Sequence, residues 1–146
     1  MEREAFEKLV AEALRSVPKR FRKEMRNIAI IVEDEPSRAL LHEMGITPPD
    51  TLLGLYSGVP LTERSWRGEQ QMPDRIQIFQ GPHERDSRDD DDLVIAIAET
   101  LIHEIGHYFG MSEEEIMAIE DRYWRGEPEP GDDGDDEPAS DRERRG

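Results

Sequence analysis

The sequence predicts an α+β fold, because helical stripes stand at both ends of the chain and three short strand-like runs stand between them. Near the start, Phe6, Leu9, Val10, Ala13, Leu14 and Val17 fall on one side of a helix that Pro18 ends. "NIAIIVED" (Asn27 to Asp34) is rich in branched residues and stops at Pro36, which reads as a buried strand. "PSRALLHEMG" offers a short helix capped by Ser37 and closed by Gly45. A second strand is expected around Leu53 to Tyr56, inside a Gly- and Pro-dense region from Thr47 to Arg67. "RIQIFQGP" alternates polar and apolar residues until Gly81 and Pro82 stop it, the pattern of a half-exposed strand. "RDSRDDDD" is a solvated loop leading into a long helix from Asp90 or Asp91, where carboxylates oppose the macrodipole. In "SEEEIMAIEDRYW", Ser112 and Glu115 have capping-box spacing, and Ile116, Ile119 and Tyr123 repeat at helical intervals before Gly126.

With 146 residues, 35% of them apolar, the chain has material for one domain with a modest core. That domain is assigned to residues 1–125. Residues 126–146 read as an acidic disordered tail, since nothing in them is more apolar than Ala139 or a proline ring. The tail carries nine acids against three bases, a net of −6, so −10 of the total −16 falls on residues 1–125. Such a charge opposes nucleic-acid binding, which draws on Lys and Arg at phosphates. No run approaches a membrane span, and "MEREAFEKLV" is charged where a signal peptide needs an apolar segment, so a cytoplasmic monomer off the membrane is expected. The absence of Cys removes disulfides and thiolate metal sites, which leaves His, Asp and Glu as metal ligands.

Within the long helix, "TLIHEIGHYFG" (Thr100 to Gly110) sets two histidines and a glutamate in an apolar run. At about 100° per residue His103 and His107 share a face, one turn apart, and both imidazoles reach one point in space. Leu101, Ile105 and Phe109, with Val94 and Ala98, project to the opposite, core-facing side. Glu104 lies beside the histidines but is offset from them, suited to a water on the metal rather than to the metal itself. A bare pair of histidines one turn apart is most often a surface pair. Here the intervening glutamate, the buried helix and the helix-breaking Gly110 together favour a Zn²⁺ site.

The stretch "HEIGHYFGMSE" (His103 to Glu113) resembles the zincin metallopeptidases, and through Gly110 it is similar to the longer H-E-x-x-H-x-x-G-x-x-H/D signature of the metzincin group. Taken with "LLGLYSGVPLTERS" and "RIQIFQGP", residues 1–125 resemble the small bacterial zincin-like proteins called minimal metallopeptidases. That resemblance implies a small mixed sheet flanked by helices, an HExxH zinc helix and peptidase activity. It also makes Glu113, at the signature's third position, the third metal ligand beside His103 and His107. Two features depart from the metzincin pattern: the third ligand is a carboxylate, and no separate Met-turn follows, although Met111 and Met117 are close by in sequence. Of the neighbouring acids, Glu115 is taken by the capping box and Glu114 lies about 100° round the helix from Glu113.

In this scheme Glu104 is the catalytic base that moves a proton from the attacking water to the leaving amine. Tyr56, Arg64, His83 and Tyr123 are candidate donors to the oxyanion. His83 and His42 otherwise read as surface residues, and Glu99 as a candidate partner for an imidazole N–H. "RIQIFQGP" is the expected edge for an extended substrate, a peptide or small protein. Lack of Cys excludes the peptide deformylase ligand set, and the charge disfavours a ribonuclease. The remaining alternative is a catalytically inactive zincin scaffold that serves as an interaction module.

Overall fold

The computed structural model describes residues 1–58 and 74–127; Arg64 and residues 128–146 of the expected tail lie outside the described residues. The first apolar stripe forms α1 (Arg3–Ser16), which buries Phe6, Val10 and Ala13. Pro18 then opens a short α2 (Lys19–Glu24) and a 3-10 turn that deliver the chain to β1 (Ile28–Glu33). Next come α3 (Arg38–Glu43), where Ser37 Oγ accepts from Leu40 N at 3.0 Å, and β2 (Gly54–Ser57). The order closes with β3 (Asp74–Phe79), α4 (Gln80–Arg85), α5 (Asp90–Tyr108) and α6 (Glu113–Arg125). This is the α+β arrangement expected from the sequence. No described helix is long and apolar enough to cross a membrane.

The three described strands run in the order β1-β3-β2, with β1 parallel and β2 antiparallel to β3. β3 is therefore central, not the half-exposed edge its alternation suggested. Its Ile76 and Ile78 are fully buried, because both of its edges are paired and one face meets α5. β1, expected to be buried, lies at an edge, and Ile28 is the one buried residue within it.

The residues expected to stop β3 begin a helix instead. Pro82 sits in the first turn of α4, where its missing N–H leaves no hydrogen bond unmade. α4 packs on α5 and takes His83 into the core, with no exposed surface, so the surface assignment for His83 is corrected. His83 Nδ1 lies 3.0 Å from the Phe79 carbonyl oxygen, which can only accept, so Nδ1 carries a proton. Nε2 lies 3.0 Å from Thr100 Oγ1, and burial pushes the imidazole pKa down. His42 is exposed, as expected.

α5 is the axis of the molecule. Asp89 caps it, its side chain accepting from Asp92 N at 2.9 Å, with Asp90, Asp91 and Asp92 in the first turn. Leu93, Ile97, Ala98, Leu101, Ile102 and Ile105 bury one side of it against α1, β2 and β3. α6 packs on α5 at Gly106, where a Cβ would stand 2.6 Å from Ile116 Cγ1 and 2.7 Å from Cδ1. Gly106→Ala should therefore push the two helices apart and destabilise the fold by about 1–3 kcal/mol, the usual range for overpacking. Urea denaturation checks this; a variant as stable as the parent would mean that Ile116 can turn aside.

Candidate active site

The two imidazoles stand on α5 as the helical spacing requires, with ring centroids 4.7 Å apart and both side chains part-exposed. One candidate ligand atom from each of His103, Glu104 and His107 lies within 4.8 Å of the others. Three neighbouring residues of one helix cannot surround an ion from all sides. The chain must come back.

Gly110 makes it do so. It has φ 75°, and Met111 N donates to Gly106 O at 3.0 Å while Gly110 N donates to His107 O at 2.9 Å, a Schellman stop. Two residues later Ser112 caps α6 with a reciprocal capping box: Glu115 N donates to Ser112 Oγ at 3.1 Å and Ser112 N to Glu115 Oε1 at 2.8 Å. Glu113 is thereby the first residue of α6, and it points back at the histidines. Its Oε1 lies 3.6 Å from His103 Nε2 and its Oε2 3.2 Å from His107 Nε2. Ligands on a tetrahedral metal with 2.0–2.1 Å bonds are about 3.3–3.4 Å apart, and the two distances from Glu113 to the imidazoles lie near that spacing. Glu114 is exposed, and Glu115 is held by its cap.

Glu104 is 8% exposed although it is acidic. Tyr56 N donates to its Oε1 at 2.8 Å, and His107 Nδ1 lies 3.4 Å from the same oxygen. The strand amide can reach because residue 54 is Gly: a Cβ there would lie 2.5 Å from Thr100 Cγ2 and 3.0 Å from Gln77 O. β2 thus runs hard against α5, one turn below Glu104.

His103 Nδ1 faces Glu120 Oε2 of α6 at 3.5 Å. The partner suggested by sequence was Glu99, but the carboxylate in reach of that nitrogen is Glu120. Burial raises the pKa of Glu99, and the charge of Glu120 raises it further. Burial also raises Glu120, opposed by His103. His107 is pushed up to about 9, chiefly by Glu104 and then by Glu113, against the opposing effect of burial. So many carboxylates around two imidazoles call for positive charge, which a proton or a cation can supply.

Of the other candidates, the Tyr56 hydroxyl is 3.4 Å from Asp74 Oδ1, and the Tyr123 hydroxyl meets Ser16 Oγ at 3.2 Å. His83 is enclosed in the core. Met111 packs against the core, whereas Met117 is 62% exposed and does not underlie the histidines. Glu120, the Tyr56 amide, Gly54 and Gly106 were missed. For Glu120 a signal existed, since it lies seven residues after Glu113 and so on the same helix face.

Residues 25–123 match the sequence model of a family described as zincin-like metallopeptidase. Among solved structures, a conserved hypothetical protein from Thermo thermophilus is similar, at 19% identity and a TM-score of 0.49, over 75% of this chain and 94% of that one. No curated protein matches. The matched span runs from the turn before β1 into α6 and takes in His103, Glu104, His107, Glu113 and Glu120. The chain belongs to the zincin-like metallopeptidase family.

Proposed function

We propose that the protein is a zinc-dependent peptidase in which His103, His107 and Glu113 hold the metal and Glu104 is the general base. The observation that carries this reading is the Glu113 carboxylate, one oxygen on each histidine Nε2 at 3.6 and 3.2 Å. Zinc held by these three would polarise the substrate carbonyl and acidify a water beside it. Glu104 takes a proton from that water as its oxygen attacks the carbonyl carbon. It then passes the proton to the amide nitrogen as the C–N bond breaks, giving an acid and an amine. The Tyr56 amide holds Oε1 in place for both transfers.

An extended peptide or an exposed segment of a small protein is the substrate class, with the edge moved from β3 to β2. Phe79 N donates to Leu53 O at 3.0 Å, which in an antiparallel ladder turns Leu53, Leu55 and Ser57 toward β3 and Gly54 and Tyr56 outward. The Tyr56 N–H on that outward side is given to Glu104 Oε1, so an incoming strand would be met by the outward backbone groups of Gly54. The protein acts as a monomer in the cytoplasm in this reading, and its −16 charge keeps it from nucleic acid.

Glu104→Gln should keep its zinc and lose about 10² or more in the rate of peptide turnover. Elemental analysis together with hydrolysis of a peptide library checks this, and loss of the metal would make Glu104 a ligand instead. Zinc bound without any turnover by the parent would leave the interaction module.

Glu113→Ala should weaken zinc binding by more than about tenfold, as loss of one of three ligands requires, while Glu114→Ala and Glu115→Ala leave it unchanged. Competition with a chromophoric chelator measures all three. Equal affinities would remove Glu113 from the site.

In the metal-free protein His107 has a pKa of about 9 against an ordinary 6.5. A raised histidine stabilises the fold fully below about pH 6.5, and that contribution disappears as the pH rises through about 9. Zinc must displace the same proton, so its apparent affinity should rise by up to about tenfold per pH unit until near 9. Titration calorimetry in two buffers of different ionisation heat should find about one proton released per zinc at about pH 7.5; none released would mean that His107 is already neutral.

A further inference from the structure

Glu113 and Glu120 are two turns apart on one face of α6, and they meet His103 on opposite sides. Glu113 Oε1 is 3.6 Å from Nε2 and Glu120 Oε2 is 3.5 Å from Nδ1. His107 is treated likewise, with Glu113 at Nε2 and Glu104 at Nδ1. Each imidazole thus has a carboxylate at both nitrogens. A neutral imidazole carries one proton, and the nitrogen that binds a metal cannot be the one that keeps it.

We propose that Glu120 is a positioning residue for the metal: it accepts the Nδ1 proton of His103, which fixes the ring's rotation and presents the bare Nε2 to the ion. This rests on the zinc site proposed above. Several features of the chain support it. Glu120 is only part-exposed, unlike Asp121 beside it, so its carboxylate is turned inward beside the histidine. The Ile116–Gly106 contact fixes α6 against α5 between the two glutamates, so the spacing of Glu113 and Glu120 about His103 is set by helix packing. The groups facing His103 are His107 from α5 and Glu113 and Glu120 from α6.

The test is zinc affinity of the full chain, measured by chelator competition, for the parent, Glu120→Ala, Glu120→Gln and Asp121→Ala. Outer-shell partners of metal-bound histidines contribute about 10–100-fold in affinity. Glu120→Ala should lose that factor while still binding one zinc per chain. Glu120→Gln, whose amide oxygen can still accept, should recover most of it. Asp121→Ala removes the same charge without touching His103 and should stay within about twofold of the parent, since exposed charges contribute little. Nitrogen chemical shifts of the metal-free His103 ring should show the Nδ1-protonated tautomer in the parent and a mixture in Glu120→Ala, a change that loss of packing alone would not produce. The inference is overturned if Glu120→Ala binds zinc within about twofold of the parent, or if Asp121→Ala loses as much. It is overturned also if the ring tautomer is the same in both proteins. A parent that binds no zinc would sink the metal reading itself, a result visible before any variant is made.

Discussion

The site depends on the contact between Gly106 and Ile116. A single helix can bring two imidazoles to one point but cannot surround that point, so further ligands must come from another element. In this chain the next helix brings the Glu113 carboxylate to the histidines, and it packs where α5 has no side chain at residue 106 and Ile116 fits. The glycine is the fourth residue of the H-E-x-x-H run itself, between the two histidines. One position therefore serves the motif and the packing together. The Gly110 stop and the Ser112 cap then fix where α6 begins, and Glu113 follows from that start.

Charge explains the rest of the arrangement. Glu104, Glu113 and Glu120 gather around two histidines, with Glu104 nearly buried. Buried like charges are unfavourable unless something positive stands among them. A proton can meet that demand, and Glu104 and Glu113 push the His107 pKa up to about 9. A divalent ion would meet it better, since it replaces a proton shared by one imidazole with two charges shared by all the ligands.

Much of this was legible in the sequence, for identifiable reasons. Helical repeats and caps involve residues close in the chain, so α1, α3, α5 and α6 and their ends could be read from Phe6, Ser37, Asp90, Ser112 and Gly110. The histidine pair and Glu113 were legible because one helix and one short turn relate them. What failed was non-local. Alternation in "RIQIFQGP" describes the faces of a strand but not its neighbours, so it could not show that β3 is paired on both sides. His83 has no ligand spacing, and only the docking of α4 on α5 takes it inside. The Tyr56 amide was beyond reach in principle, because every residue but proline has one and the sequence does not mark which lies near Glu104.

That amide also shows what the sheet contributes to a site built on helices. Glu104 is a carboxylate on a mostly apolar helix, and a buried carboxylate oxygen left without a hydrogen-bond donor is costly. A strand edge offers a fixed N–H donor without a side chain to pack, and β2 brings one within 2.8 Å because Gly54 lets the backbone pass Thr100. The direction of that N–H follows from the ladder: Leu53 and Leu55 spend their groups on β3, which leaves Tyr56 facing α5. A slip of one residue in the β2 register would turn the Tyr56 amide toward β3 and leave Glu104 without it. The register of a four-residue strand thus sets the environment of a carboxylate on a helix 48 residues further along the chain.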